Sequence, residues 1–188
     1  MSWQYDYWYV ENYYSAKERK KISEYIERNH TDTEKFDAVA KDNNNASKKK
    51  ANTLLIEWGK IKSLIGGLES SVHSYNQHNF GYLLSPFNDL SKCFLNIYDS
   101  NNKGAYGWHF DSSRSDIYDV KLTVLVNLSD KYTGGKFCIF NGEEHVIEPF
   151  NKPGTLLLFK SYINHKVTPV LSGVRKTLTI LATGPKLR

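Results

Sequence analysis

From about residue 80 onward the chain is a succession of short apolar runs cut by turn residues, and nothing else in it restricts the fold as strongly. Runs rich in β-branched and aromatic residues fall near 94–98, 107–111, 121–128, 136–141, 144–148, 155–160, 165–170 and 175–183. Thr133-Gly134-Gly135, Asn141-Gly142, Pro153-Gly154 and Ser172-Gly173 part several of them with the residues that tight turns require. Short strands in unbroken succession, preceded by helices, predict a mainly β (α+β) fold: a β-sandwich or jelly roll with N-terminal helices packed on the outside. The 188 residues suit one domain.

The first 79 residues read as a strand and helix support region for an 80–188 β core. Residues 7–14 alternate loosely as a first strand. Ser15-Ala16-Lys17-Glu18 is a capping box, and Ile22, Tyr25 and Ile26 at helical spacing predict a helix over about 16–28. Residues 29–52, with Asp42-Asn43-Asn44-Asn45 and Lys48-Lys49-Lys50, read as a long polar surface loop whose lysines form a solvated face. A short strand over 53–58 follows. Ile61, Leu64, Ile65, Leu68, Val72 and Tyr75 then mark one face of a second helix, which Gly66-Gly67 weakens without ending.

A formal charge of +5 gathered in short clusters such as Arg19-Lys20-Lys21 does not imply a nucleic-acid footprint. No apolar stretch approaches a membrane span, and the N-terminus lacks a signal-peptide pattern, so a soluble, cytoplasmic protein is expected. Cys93 and Cys138 are too few for a disulfide framework and read as core residues of a reducing compartment.

The segment that carries chemistry is Tyr106-Gly107-Trp108-His109-Phe110-Asp111. On a strand, residues two apart share a face, so His109 and Asp111 can offer an imidazole nitrogen and a carboxylate oxygen to one ion. Trp108 and Phe110 then point oppositely, where they are expected to pack against a core. His165 lies downstream, and Arg175 follows after the Ser172-Gly173 turn, a spacing that fits a hairpin returning Arg175 beside His165. Thr177 shares the face of Arg175. Two histidines and one carboxylate make the facial triad of non-haem Fe(II) oxygenases, which leaves positions for a 2-oxo acid and O₂. Arg175 offers a fork matched to that acid's far carboxylate, with the Thr177 hydroxyl as a second donor.

As an ordered set, Tyr98, Tyr106-x-x-His109-x-Asp111, Lys121-Leu122-Thr123, Tyr132-Thr133-Gly134-Gly135, Pro153-Gly154 and His165-x-Val167-x-Pro169-Val170-x-x-Gly173-x-Arg175 resemble the prolyl 4-hydroxylase-like branch of the Fe(II)/2-oxoglutarate dioxygenases, of the small bacterial and phage kind. The resemblance runs from residue 98 to 185. It implies a double-stranded β-helix with iron on His109, Asp111 and His165, the distal carboxylate of 2-oxoglutarate on Arg175, and a Tyr98 hydroxyl in the same pocket. It also implies hydroxylation of a peptidyl residue, proline included, or of an amino-acid-like molecule, with release of succinate and CO₂ and with ascorbate as a reductant. Many prolyl 4-hydroxylases carry Lys where this chain has Arg175. Two other readings stand beside it. One is oxidative demethylation of nucleic-acid bases, whose enzymes show a second Arg where this chain has Leu181. The other is a non-enzymatic metal- or ligand-binding jelly roll. His30, His73, His78 and His145 read as ordinary histidines, Asp116 and Asp119 as solvated loop acids, and the 29–52 and 112–119 loops as borders of a substrate entrance.

Overall fold

A computed structural model of the chain describes residues 5–30, 49–112 and 117–186. In chain order these form β1 (Tyr7–Val10), α1 (Ala16–Asn29), β2 (Lys49–Lys50), β3 (Asn52–Glu57), α2 (Trp58–Ile61) and α3 (Leu68–Asn79), then a run of strands. The strands are β4 (Lys92–Asp99), β5 (Ala105–His109), β6 (Tyr118–Asn127), β7 (Tyr132–Gly134), β8 (Phe137–Asn141), β9 (Glu143–Val146), β10 (Leu156–Lys160), β11 (Asn164–Val167) and β12 (Val170–Pro185). Antiparallel pairing sorts them into a major sheet, β1-β10-β6-β12-β4-β3 with β7 attached to β12, and a minor sheet, β2-β5-β11-β8-β9. The chain steps back and forth between the sheets: β4, β6, β10 and β12 are major, β5, β8 and β11 minor. This is a double-stranded β-helix, the jelly roll that the strand grammar predicts.

The major sheet is buried on both faces, and the two-residue period divides its side chains accordingly. On β6, Leu122, Val124 and Val126 join the core under the helices, while Leu125 joins the core between the sheets. On β12, Leu178, Ile180 and Ala182 face the helices. The alternate residues Arg175, Thr177, Thr179 and Leu181 face the interior of the roll. Helix α1 starts where its capping box predicts: the Ser15 N–H donates to Glu18 Oε2 at 2.8 Å and the Glu18 N–H to Ser15 Oγ at 3.4 Å. Its Ile22 and Ile26 are buried against the sheet, each contributing about 1.5–3 kcal/mol.

Four local expectations change. The second helix is two helices, because Gly67 takes φ +74° at the start of α3, a left-handed conformation open to glycine at little cost. Ile61, Ile65, Leu68 and Val72 still share one core, so their spacing marks a face without requiring a continuous helix. Trp58 begins α2 instead of ending a strand, its N–H donating to Ser91 O at 2.8 Å. Of the expected turn Thr133-Gly134-Gly135, the first two residues belong to β7 and pair with β12. Of the predicted polar loop, residues 31–48 lie outside the described residues, and Lys49–Lys50 forms a strand against Tyr106 and Ala105 of β5. Cys93 and Cys138 are free and buried. No helix among the described residues is long and apolar enough to cross a membrane.

Candidate metal and co-substrate site

His109 ends β5 and His165 lies on β11, and the two are register partners across that antiparallel pair. Asp111 is not on the strand, as the two-residue argument had it. It follows the end of β5, where its N–H donates to Ser161 O at 2.9 Å, and that tether brings its carboxylate back to the imidazoles. Asp111 Oδ2 lies 3.6 Å from His165 Nε2, and Oδ1 lies 4.0 Å from His109 Nε2. One ligand atom from each of the three residues falls within 4.8 Å of the others.

The surroundings fix how each donor is presented. His109 Nδ1 lies 2.8 Å from Gly107 O and His165 Nδ1 lies 2.9 Å from Ile163 O. A carbonyl can only accept, so both protons sit on Nδ1 and both Nε2 lone pairs face the cluster. The Thr123 hydroxyl donates to Asp111 Oδ2 at 2.6 Å. Tyr106 stacks on His109 with centroids 3.5 Å apart, and Phe159 meets His165 edge-on at 4.7 Å. Burial, followed by the nearby His165, brings the pKa of His109 down to about 4. Burial also lowers that of His165. Both imidazoles are therefore neutral near pH 7, the form that binds metal.

Trp108 and Phe110 do not pack against a core. They are 38% and 57% exposed, because the helices cover the major sheet and leave this face of the minor sheet outward. The Lys166 ammonium sits 4.4 Å over the Trp108 ring, and Phe140 meets that ring edge-on.

Arg175 is also placed differently from the expected hairpin. It lies on β12 of the major sheet opposite Tyr98 of β4, whereas His165 lies in the minor sheet. Pro169 has no N–H with which to prolong the ladder of β11, and the Val170 N–H donates to Gly104 O at 2.9 Å as the chain crosses between sheets. Arg175 thus faces the histidine cluster through the interior of the roll. Its side chain is 1% exposed, with Cζ 5.3 Å from the Tyr98 ring and 5.5 Å from the Phe150 ring. Arg175 Nε and Nη2 and Thr177 Oγ1 are buried without a hydrogen-bond partner among the described residues. Gly135, at φ +56°, lets the loop between β7 and β8 lie against this arginine: a Cβ there would stand 2.9 Å from Arg175 Cδ.

One cavity of about 200 Å³ joins His109, Asp111 and His165 to Tyr98, Arg175 and Thr177. Burial raises the Tyr98 pKa, so its phenol stays protonated. Lys49 and Asn96 also line this cavity, and the sequence reading missed both. Asn96 was detectable as a polar residue two steps from Tyr98 in an apolar strand. Lys49 was not, since a lysine triplet carries no period to show which member turns inward. The Lys49 ammonium donates to Asn96 Oδ1 at 2.6 Å, and its burial lowers its pKa to about 8 against the opposing pull of Asp111. The remaining histidines stand elsewhere: His30 caps α1, His73 and His78 belong to α3, and His145 lies 3.5 Å from Glu143 on β9. Asp119 is on β6 and ion-paired with Lys121 at 3.3 Å, while Asp116 lies outside the described residues.

The side chains present fit a metal and an acid. Two imidazole nitrogens with free lone pairs and one carboxylate form a donor set suited to Fe(II). The unpartnered guanidinium nitrogens and hydroxyl are groups that a buried carboxylate would satisfy. A double-stranded β-helix holding such a cluster is an architecture of the non-haem iron oxygenases.

Residues 93–182 match the model of the 2OG-Fe(II) oxygenase superfamily. Over 73 residues the chain is 41% identical to a PKHD-type hydroxylase of Synechococcus sp. (strain CC9605), a match that covers 38% of this chain and 33% of the relative. The chain thus spans about a third of that curated relative's length. Its fold is similar to that of a Pseudomonas putida prolyl-4-hydroxylase (TM-score 0.66, 18% identity, 98% of this chain and 94% of that one). It is likewise similar to a viral collagen prolyl hydroxylase of Paramecium Bursaria Chlorella virus-1 solved as a 2OG complex (TM-score 0.68, 15% identity, 96% and 97%). A prolyl hydroxylase of Trichoplax adhaerens, in complex with a hypoxia inducible factor oxygen degradation domain peptide fragment, shares the fold too (TM-score 0.66, 17% identity, 95% and 84%). Just under half of the chain is thus similar to the 2OG-Fe(II) oxygenase superfamily, and its fold is the one these prolyl hydroxylases share.

Proposed function

We propose that the protein is an Fe(II)- and 2-oxoglutarate-dependent hydroxylase acting on a peptidyl residue, proline included, or on an amino-acid-like molecule. The observation that carries this reading is a single cavity bounded on one side by three convergent metal donors and on the other by a buried arginine with unpartnered nitrogens. In this reading His109, Asp111 and His165 hold the iron, and Arg175 and Thr177 receive the distal carboxylate of 2-oxoglutarate beside Tyr98. The bound iron and co-substrate supply the oxidation, in which one atom of O₂ enters the substrate and 2-oxoglutarate leaves as succinate and CO₂.

The rest is positioning by the chain. The Gly107 and Ile163 carbonyls keep both imidazoles in the tautomer with Nε2 free, and Thr123 orients the Asp111 carboxylate. Phe137, Phe159 and Leu125 exclude water from the interior beside the donors. The described elements before residue 80, β1 to α3, act as the support of an 80–188 core within one oxygenase domain. A peptide substrate is supported by the peptide complex of the Trichoplax neighbour. The free thiols of Cys93 and Cys138 are in keeping with a reducing cytoplasm.

The test is anaerobic addition of Fe(II) and 2-oxoglutarate. It should give the weak visible charge-transfer band of a 2-oxo acid chelated to iron, and His109→Ala, Asp111→Ala and His165→Ala should each abolish it while leaving the fold intact. Persistence of the band and of succinate formation in all three variants would refute the assignment.

A further inference from the structure

Lys49 has no place in the scheme above, yet it lines the same cavity. Its position is set by a small network. Asn96 Oδ1 accepts from Lys49 Nζ at 2.6 Å and from Thr53 Oγ1 at 2.9 Å, and Asn96 Nδ2 donates to Thr179 Oγ1 at 3.0 Å. Those contacts fix the amide with its oxygen toward the lysine. The Lys49 ammonium also sits 5.3 Å over the Tyr106 ring, which itself stacks on His109. Among the described residues no carboxylate lies within ion-pair distance of it, and it retains donors beyond the one given to Asn96.

Charge decides what such a group can serve. With a divalent metal and a dianionic co-substrate in place, their charges cancel. Asp111 likewise offsets Arg175, so among the described residues lining the cavity the positive charge of Lys49 is left over. A partly desolvated cation without a counter-ion is costly, and an anion arriving with the ligand removes that cost. Depth separates the two cations. Arg175 is 1% exposed beneath Tyr98 and Phe150, whereas Lys49 is only partly buried and comes from β2, an edge strand of the minor sheet. The deep cation suits the co-substrate, and the outer one suits a molecule held nearer the surface.

We infer that Lys49 selects the prime substrate: its ammonium binds a carboxylate on the molecule to be oxidised, so the site takes small acids or chain ends ahead of the uncharged interior of a peptide. This rests on the metal and co-substrate reading given above, and the experiment separates the two. The full-length protein is loaded with Mn(II) and 2-oxoglutarate, and uptake of both is measured first by calorimetry. If either fails to bind, the oxygenase reading falls at that step.

The loaded protein is then titrated with N-acetyl-L-proline, N-acetyl-L-leucine and N-acetyl-L-glutamate, each against its own C-terminal amide. At least one acid is expected to bind roughly tenfold more tightly than its amide, the worth of one charge-assisted hydrogen bond. Lys49→Met should reduce that preference to about twofold or less, and Lys49→Arg should restore most of it. The affinity for 2-oxoglutarate should meanwhile move by less than about twofold in Lys49→Met. Absence of binding by every acid, equal binding of acids and amides, or a preference that survives in Lys49→Met would overturn the assignment. So would a large loss of 2-oxoglutarate affinity in that variant, which would give the lysine to the co-substrate instead.

Discussion

Replacing Arg175 by Met should have effects of opposite sign on stability and on ligand affinity. The guanidinium is 1% exposed, with Nε and Nη2 unpartnered among the described residues, so folding buries a charge whose hydrogen bonds to the protein are incomplete. Methionine fills similar space between the Tyr98 and Phe150 rings without polar atoms to bury. Removing a buried, incompletely satisfied charge in this way is often neutral or stabilising, and a gain of about 1–2 kcal/mol is expected here. For 2-oxoglutarate the sign reverses. A forked, charge-assisted contact is worth about 3 kcal/mol, so the dissociation constant should rise by about 150-fold. At a ligand concentration of 100 times the wild-type Kd, linkage stabilises the wild-type protein by about 2.7 kcal/mol but the variant by only about 0.3 kcal/mol. Urea unfolding of the Mn(II)-loaded proteins, with and without 2-oxoglutarate, reads both quantities. A variant stabilised by 2-oxoglutarate as much as wild type would show that Arg175 does not hold the co-substrate. A ligand-free variant that lost more than about 2 kcal/mol would show that its native surroundings satisfy the guanidinium after all.

Thr123→Val leaves Asp111 Oδ2 without its hydroxyl donor, so Mn(II) affinity should fall about tenfold to a hundredfold with little change in Tm; unchanged affinity by calorimetry would deny Thr123 its orienting role. The metal-free protein should lose stability as pH falls from about 6.5 toward 4. The folded pKa of His109 is depressed, so over that window the unfolded chain takes up a proton that the folded one refuses. The contribution approaches about 3 kcal/mol once pH falls below 4 and is about 2 kcal/mol between pH 7 and pH 5, seen as the difference between wild type and His109→Gln in urea unfolding at those two pH values, and identical pH profiles would exclude it. Gly135→Ala forces φ +56° on a residue with a Cβ and presses that Cβ toward Arg175 Cδ. It should cost about 1–3 kcal/mol of stability and weaken 2-oxoglutarate binding as well; destabilisation with normal affinity would mean that the loop does not position the arginine.

The sequence revealed most of the site's membership and less of its geometry. His109, Asp111, His165, Arg175 and Thr177 were identifiable because each carries a functional group rare in apolar strands, and because two-residue spacing links His109 to Asp111 and Arg175 to Thr177. Strand spacing could not show that β5 ends before Asp111, because the ending is set by the Ser161 carbonyl, some fifty residues away in sequence. Nor could it show which sheet receives β12, since a hairpin and a crossover at Thr168-Pro169 look alike in a linear pattern. The outward turn of Trp108 and Phe110 has the same origin. Alternation names two faces, and only the tertiary layering of helices on the major sheet decides which of the minor sheet's faces is covered. The break before α3 depends on a single positive φ at Gly67, which the apolar spacing on either side does not register.

The division of labour between the sheets follows from the same layering. The minor sheet and the turn after β5 supply the neutral imidazoles and the carboxylate; the major sheet supplies the arginine and threonine. The candidate metal donors and the proposed anion anchor are therefore joined by packing across the roll, not along one strand. Phe137 is central to that packing: its ring meets Phe150, which lies against Arg175, and also Phe159 and His165. Aromatic rings fit this position because they fill volume with few rotamers and carry no polar atom needing a partner. A metal site and an anion site built on opposite sheets keep a fixed separation only as far as such a core resists compression. In this fold, then, the interior that excludes water also sets the span that a bound 2-oxo acid has to bridge.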